Sequence, residues 1–180
     1  MAMEILPHAL GCFVCGVRNP LGLGLDLATD SRVVECRFCF RTEHCGFRGT
    51  IHGGLIATVL DEAMAWVIGV HARRFAYCAE LNTRFLAPAA PGVELVARAE
   101  IVENKKGRLF LIRSELREAT GRVLAEATGK YLPIPEARHT AMLADFAEDP
   151  SKWVGILGAR PSSARECAVN EVKNYQINKS

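Results

Sequence analysis

The stretch from residue 49 to residue 66, GTIHGGLIATVLDEAMAW, constrains the fold of this chain more than any other. From residue 54 to about residue 70 there is no proline and most residues are good helix formers, so we predict an α-helix there. No face of this helix is polar enough for solvent, which is typical of a central, buried helix. One stripe carries small residues and an acid: Gly54, Ala57, Thr58, Asp61 and Ala65. Small residues of this kind let another chain, a backbone or a ligand come close.

Strand-like stretches lie on both sides of the predicted helix. Before it, two strands are expected, joined by a turn near Asp30 and Ser31. After it come YCAELNTRFLAP, then VELVARAEIVENKKGRLFLIRSELREA with a break at KKG, then VLAEATGKYLPI, and no second strong helix. We therefore predict an α+β fold in which one antiparallel sheet wraps around one long helix.

The length of 180 residues is enough for one domain and a tail. We place the domain at residues 1–135 and the tail at residues 136–180. The tail is expected to begin with a short amphipathic helix that ends at Pro150 and to continue as a polar, mobile segment.

The bulk composition excludes several classes of protein. A formal net charge of +2 and 23% charged residues give no signature of nucleic-acid binding. Asp61 and Glu62 interrupt the longest apolar run, so we expect no membrane span. The first residues lack the basic region of a secretory signal, and we therefore expect a cytoplasmic location.

The seven cysteines are an odd number in a chain that does not look secreted, so a disulfide framework is not expected. Cys12-x-x-Cys15 and Cys36-x-x-Cys39 have the spacing of a zinc ribbon, with His44 and Cys45 nearby. However, VVECRFCF alternates like a strand, and residues three apart on a strand point to opposite faces. We therefore favour buried thiols that pack as small hydrophobes, with zinc as the minor alternative, and we predict no metal and no cofactor.

The start of the predicted helix has the features of a reactive site. Gly53 and Gly54 leave backbone N–H groups uncovered at the positive end of the helix dipole, where a developing oxyanion can bind. Asp61 lies about two turns further on, where an apolar setting strengthens a carboxylate as base or nucleophile. The donor and the carboxylate are therefore expected to bracket one pocket.

Two neighbouring residues need separate interpretations. His52 alone would be taken as a loop residue bonded to local backbone, but beside two glycines and upstream of Asp61 it is a candidate catalytic residue. Glu62 points about 100° away from Asp61 on a helix, so both acids cannot reach one reacting atom. We expect Glu62 in an intersubunit or strand-facing salt bridge.

His52-Gly53-Gly54, with Asp61 nine positions after the histidine, resembles the hotdog-fold acyl-CoA thioesterases of the phenylacetate-pathway (PaaI-like) group. CFVCGVRNPLGLGL resembles the Cys-x-x-Cys-Gly-x-x-Asn-Pro-x-Gly-Leu opening of many bacterial members. LNTRFLAPAAPG resembles their strand after the helix, and KKGRLFLIRSELREATGRVLAEATGKYLPI resembles their closing hairpin. The resemblance covers about residues 10–135.

The resemblance implies a hotdog fold and hydrolysis of an acyl-CoA thioester. It also implies a homodimer with active sites between subunits, often doubled to a homotetramer. By position, Asp61 would be the general base or the nucleophile, the N–H of Gly54 the oxyanion donor, and His52 a group that orients the carbonyl or a water. Cys78 stands where several relatives carry serine or threonine, and a thiol is the weaker hydrogen-bond donor.

Coenzyme A carries phosphates, so basic side chains are expected at the mouth of the pocket. Arg84 on the strand after the helix, and Lys105, Lys106 and Arg108 at a hairpin, are the candidate substrate-binding residues. The far wall of the pocket is expected to come from a partner subunit and from aromatic side chains such as Trp66, Phe47 and Phe85.

Two other functions compete with hydrolysis. A non-catalytic hotdog module that binds acyl-CoA as a sensor would be expected to carry a DNA-binding segment, and no helix-turn-helix pattern is present in the sequence. A hotdog dehydratase resembles families with a histidine five residues after the aspartate, where this chain has Trp66. The dehydratase therefore ranks last.

Overall fold

The computed structural model describes residues 2–154, and its main feature is an antiparallel sheet wrapped around one long helix. The first strands are β1 (Glu4–Ile5), β2 (Leu27–Thr29), β3 (Val33–Cys39), β4 (Cys45–Phe47) and β5 (Thr50–Ile51). Helix α1 (Gly53–Ala72) follows, then β6 (Ala76–Phe85), β7 (Glu94–Asn104), β8 (Phe110–Glu118), β9 (Val123–Pro133) and helix α2 (Glu136–Leu143). The main sheet has the order β1-β2-β3-β7-β8-β9-β6, and β4 pairs with β5. The predicted fold class is therefore confirmed.

Most predicted elements lie where the sequence pattern placed them. Helix α1 begins one residue earlier and ends two residues later than predicted, and Ser31 takes a left-handed φ of 73° in the turn between β2 and β3. Two predictions were incomplete. The segment taken as a loop before α1 contains a 3₁₀ turn (Thr42–His44) and the β4–β5 hairpin. Strand β1 has only two residues and depends on its pairing with β2, which a local pattern does not reveal.

Helix α1 packs against β3, β6, β7, β8 and β9. By length and composition it could cross a membrane, but its apolar side forms the centre of the domain core. Its buried residues are Ile56, Val59, Leu60, Ala63, Met64, Trp66, Val67, Ile68 and Gly69. The stripe of small residues is the face of α1 that the sheet leaves partly open, because Gly54 is exposed and the other four members are half-buried.

Strand β9 shows why the sheet covers the helix on one face only. Alternate residues of β9 point toward the core and are buried: Ala125, Ala127, Gly129 and Tyr131. The residues between them are exposed: Glu126, Thr128, Lys130 and Leu132. This period of two gives one face toward the helix and one toward solvent.

Strand β6 is the outermost strand of the sheet and pairs on one side with β9. Eight of its ten residues are exposed, although it is one of the longest strands. Within the described residues, no strand lies on its outer side. A long unpaired edge of this kind offers free backbone groups to another chain.

Residues 136–154 pack on the domain. The ring of Phe146 stacks on Phe75 at 5.9 Å, and Trp66 meets Phe75 edge-on at 5.0 Å. Trp66 is only 2% exposed, so it belongs to this aromatic cluster and not to a pocket wall, contrary to expectation. Helix α2 ends at Leu143, well before Pro150, which instead begins a 3₁₀ turn. The predicted mobile segment lies largely outside the described residues, and the division at residue 135 stays a prediction.

Candidate active site

The start of α1 is capped by a histidine side chain. His52 is the N-cap residue, and its Nδ1 accepts a hydrogen bond of 3.0 Å from the N–H of Gly54. The N–H of Leu55 donates to the carbonyl of His52. In residues 2–154, the N–H of Gly53 has no acceptor. The expected oxyanion donor, Gly54, is thus already bonded, and Gly53 carries the free amide.

Both glycines at this helix start are required by close contacts. A Cβ at Gly53 would lie 3.0 Å from the ring of Phe85, which comes from the end of β6. A Cβ at Gly54 would lie 2.9 Å from Nδ1 of His52. The two glycines therefore let one aromatic ring and one imidazole close over the helix end.

Asp61 is half-buried and is held by two side chains from the sheet. The hydroxyl of Tyr131 donates to Oδ1 of Asp61 at 2.6 Å, and the thiol of Cys78 lies within hydrogen-bonding range of the same carboxylate. Cys78 and Tyr131 face each other across β6 and β9. Burial, followed by the charge of Asp61, raises the pKa of both groups, so both remain protonated donors at neutral pH.

The sequence analysis missed Tyr131, although the residue itself carries a signal. A buried tyrosine usually needs a partner for its hydroxyl, and Tyr131 falls on the core-facing side of a predicted strand. Gly129, two residues earlier on the same face, makes room for the ring. A Cβ there would lie 2.4 Å from Cε2 of Tyr131.

The distance along α1 limits which donor and which carboxylate can bracket one pocket. Gly54 and Asp61 are seven residues apart, and a rise of 1.5 Å per residue separates them by about 10 Å. A base and an oxyanion donor must each lie within about 3 Å of neighbouring atoms of one carbonyl. One chain cannot meet both requirements.

We use the word groove for the partly uncovered surface between the small-residue stripe of α1 and the core-facing side of β6. The register with β9 puts four residues of β6 on that side: Cys78, Leu81, Thr83 and Phe85. Three of them are exposed because α1 does not cover this edge of the sheet. The buried hydroxyl of Thr83 has no partner in the described residues. The groove is thus apolar with a few polar groups, and it opens at the free edge of β6.

The candidate phosphate-binding residues do not come together in one chain. Arg84 lies opposite Glu126, on the outer face of the sheet and away from the groove. Lys105, Lys106 and Arg108 form the exposed turn between β7 and β8. The pairing continues from this turn through Phe110 and Tyr131 to Cys78, so the turn lies at the Asp61 end of the groove. Six residues along β6 separate Arg84 from that end, or about 20 Å.

Glu62 points to another side of α1 and does not form the expected salt bridge with any of residues 2–154. Its Oε1 lies 3.6 Å from the sulfur of Cys12. Burial, followed by the charge of Cys12, raises the pKa of Glu62 to about 8. In the second C-x-x-C sequence Cys36 is buried and Cys39 exposed, as the strand pattern predicts.

Residues 48–125 match the family model described as "Thioesterase superfamily". Human acyl-coenzyme A thioesterase 13 is 28% identical over 94 residues, which cover 52% of this chain and 67% of that protein. The matched model includes the helix start, Asp61 and Cys78.

Two solved structures share the fold. The thioesterase superfamily protein RHA08564 has a TM-score of 0.61 and 24% identity, over 67% of this chain and 59% of that one. The Escherichia coli PaaI protein from the phenylacetic acid degradation operon has a TM-score of 0.57 and 20% identity, over 63% of this chain and 81% of that one. This chain therefore spans less than two thirds of RHA08564.

The family match and the wrapped-helix fold agree with the resemblance that the sequence motif indicated. Over residues 48–125 the chain is therefore similar to the thioester hydrolases of the thioesterase superfamily, and it has the hotdog fold.

Proposed function

We propose that this protein hydrolyses acyl-CoA thioesters to a free acid and CoA, in a site that two copies of the chain share. The observation that carries the proposal is a half-buried carboxylate, Asp61, fixed by the Tyr131 hydroxyl beside an open apolar groove. The match of residues 48–125 to the thioesterase superfamily supports the reaction, and the name of the human relative supports CoA as the leaving group. CoA compounds are accordingly the substrates to test first.

In the proposed reaction, Asp61 attacks the thioester carbon or removes a proton from the water that does so. Attack by water gives a tetrahedral oxyanion, which collapses with loss of the CoA thiolate. Direct attack breaks the C–S bond, releases the CoA thiolate and gives an acyl anhydride with Asp61, which water then cleaves to the free acid and the Asp61 carboxylate. In both cases Tyr131 and Cys78 hold the carboxylate toward the groove, and the oxyanion is bound by amides at a helix start.

We further propose that these amides come from the second chain of a homodimer. The separation of about 10 Å along one α1 requires a second source, and two antiparallel copies would put Gly53 and Gly54 of one beside Asp61 of the other. The small-residue stripe permits close approach of two helices, and the free edge of β6 permits strand pairing between chains. Gly53 offers its amide directly, whereas Gly54 does so once His52 rotates away. A dimer of dimers, like a cytoplasmic location, stays a prediction.

For the CoA phosphates we favour the β7–β8 turn over Arg84. Lys106 and Arg108 form no ion pair with residues 2–154, and the turn lies at the Asp61 end of the groove, whereas Arg84 is on the outer face. Lys106→Ala and Arg108→Ala should raise KM by several-fold with little change in kcat, and Arg84→Ala should leave KM unchanged. A rise in KM with Arg84→Ala alone would reverse this assignment.

The central experiment follows thiol release from short, medium, long and aryl acyl-CoAs. Asp61→Asn should lower kcat by on the order of 10² or more. Glu80→Gln is the matched control, because Glu80 is exposed on the outer face of β6 and pairs with Lys130. Unchanged turnover in Asp61→Asn would refute the mechanism. Tight binding of acyl-CoA without turnover by the wild-type protein would instead identify the non-catalytic sensor.

A mixing experiment tests the shared site. The experiment uses two variants, Asp61→Asn and Gly54→Val, and the valine side chain of the second covers the helix amides. Each variant alone is inactive if the reaction needs both the carboxylate and the amides. After unfolding and refolding together, half of the dimers are mixed and each has one intact site, so about a quarter of wild-type activity should return. No recovery, with both variants folded and dimeric, would show that the two groups act within one chain.

A further inference from the structure

A second group of reactive side chains lies about 100° around α1 from Asp61. It consists of Cys12, Cys15 and Glu62, whose ligand atoms all lie within 4.8 Å of one another. Cys15 is 2% exposed, and Cys12 and Glu62 are half-buried. The proposed hydrolysis uses none of these residues.

Backbone hydrogen bonds to Cys12 shape the loop that contains the two cysteines. The N–H of Val14 donates to the sulfur of Cys12 at 3.3 Å, and the N–H of Gly16 donates to the carbonyl of Cys12 at 3.0 Å. A Cβ at Gly16 would lie 2.1 Å from that carbonyl oxygen, so only glycine fits this tight turn. Backbone N–H groups that point at a sulfur stabilise the thiolate, which is the form that binds metals.

One separation between donor atoms matches that of a tetrahedral metal ion, and all three lie within 4.8 Å. With Zn–S near 2.3 Å and Zn–O near 2.1 Å, the donors of a tetrahedral zinc lie about 3.5–3.8 Å apart. The sulfur of Cys12 and Oε1 of Glu62 are 3.6 Å apart. Among residues 2–154, no basic side chain pairs with Glu62. In this part of the chain the half-buried Glu62 side chain thus lies beside two sulfurs and no cationic group.

We propose that Cys12, Cys15 and Glu62 bind one Zn²⁺ ion, with a water molecule as the fourth ligand. Two sulfurs and one carboxylate suit zinc better than the hard cations Mg²⁺ and Ca²⁺. A metal ion binds these ligands in their deprotonated forms, so affinity rises with pH. The partial exposure of Cys12 gives the ion a path from solvent.

The ion would join the N-terminal loop to α1. Cys12 and Cys15 belong to the irregular segment between β1 and β2, whereas Glu62 is in the middle of the central helix. The same spacing at Cys36 and Cys39 makes no such site, because strand β3 points these two side chains to opposite faces. That pair provides an internal control.

The test uses the full chain without an affinity tag, loaded with ZnCl₂ at pH 7.5 and dialysed before elemental analysis. The wild-type protein should retain about one zinc per chain, and Cys12→Ser or Cys15→Ser should retain less than about 0.1. Glu62→Gln should weaken binding at least about tenfold in competition with a chromogenic chelator. Cys39→Ser and Cys167→Ser should bind like the wild type. Replacement of zinc by Co²⁺ should give thiolate-to-cobalt absorption that Cys12→Ser abolishes.

Three results would overturn the proposal. The wild-type protein could retain no zinc, Cys12→Ser could bind as tightly as the wild type, or zinc-loaded protein could contain a Cys12–Cys15 disulfide by mass spectrometry. The last result would identify the pair as a redox couple. Circular dichroism of each variant establishes that it is folded. Because metal content is measured apart from thiol release, failure of this proposal leaves the proposed hydrolysis untouched.

Discussion

The hydroxyl of Tyr131 on β9 donates a 2.6 Å hydrogen bond to the carboxylate of Asp61 on α1. This bond joins the last strand of the main sheet to the central helix at the point where the groove begins. Together with the Cys78 thiol, it fixes the direction of the carboxylate. In the proposed reaction, the position of the base therefore depends on a residue some 70 positions later in the chain.

Removal of this bond should affect both activity and stability. In Tyr131→Phe we expect kcat to fall about tenfold or more, because the carboxylate loses the donor that orients it. The free energy of unfolding should fall by about 1 kcal/mol, as for a typical hydrogen bond. Thiol-release kinetics and urea denaturation measure the two effects. Tyr77→Phe is the control, since Tyr77 is exposed opposite Leu132. A kcat within twofold of wild type would contradict the positioning role.

Gly129 should matter for the same reason, although it does not touch Asp61. In Gly129→Ala the new methyl group would collide with the Tyr131 ring, and we expect about 1–3 kcal/mol of destabilisation with a lower kcat. Gly11→Ala is the matched control, because a Cβ there meets its nearest atom at 3.9 Å. Tyr131→Phe should lower kcat less in the Gly129→Ala background than in the wild type. Full additivity of the two effects on kcat would mean that Gly129 acts independently of Tyr131.

His52→Ala separates a capping role from a chemical one. The imidazole caps α1 through the Gly54 amide, and loss of a side-chain N-cap should lower the free energy of unfolding by about 1 kcal/mol. The substitution also frees that amide for a substrate oxygen, so kcat should stay within about tenfold of wild type. Denaturation curves and kcat measured on the same preparation show whether the substitution affects stability, turnover or both. A loss of kcat comparable to that of Asp61→Asn would instead assign His52 a direct part in the reaction.

Glu62 should make the stability of metal-free protein depend on pH. Its pKa rises from 4.5 to about 8 in the folded state, mainly through burial. Between these values the unfolded chain loses the proton that the folded chain keeps, so the free energy of unfolding should fall as pH rises from about 5 to 8. With a chelator present, Glu62→Gln should therefore match the wild type near pH 4.5 and exceed it at pH 8 by on the order of 1–3 kcal/mol.

The control for this measurement is Glu80→Gln, which should follow the wild type at every pH because Glu80 is exposed. With added zinc at pH 8, the wild-type protein should instead be more stable than Glu62→Gln, since this variant lacks one of the metal ligands. A Glu62→Gln protein that is less stable than the wild type at pH 8 in chelator would contradict the prediction.

The sequence alone located α1, six of the seven strands of the main sheet and Asp61, because hydrophobic periodicity and a glycine-rich helix start are local signals. The contacts of Asp61 with Tyr131 and Cys78 depend on strand register, which the sequence pattern does not fix. Nor could the pattern show that His52 covers the Gly54 amide, because that depends on a rotamer. The C-x-x-C spacing identified Cys12 and Cys15, but it could not show that Glu62, far along the chain on α1, lies beside them.

The free edge of β6 also affects how the protein is made. No strand among residues 2–154 pairs with the outer edge of this ten-residue strand, so its outward backbone groups are prone to pair with another extended chain. Under strong dilution, or when synthesis is slow, the β6 edge of a newly folded chain would stay exposed to solvent. Incorrect strand pairing would then compete with formation of the dimer. The yield of refolded protein should therefore be highest at an intermediate protein concentration. At lower concentrations correct partners rarely meet, and at higher concentrations the chains aggregate.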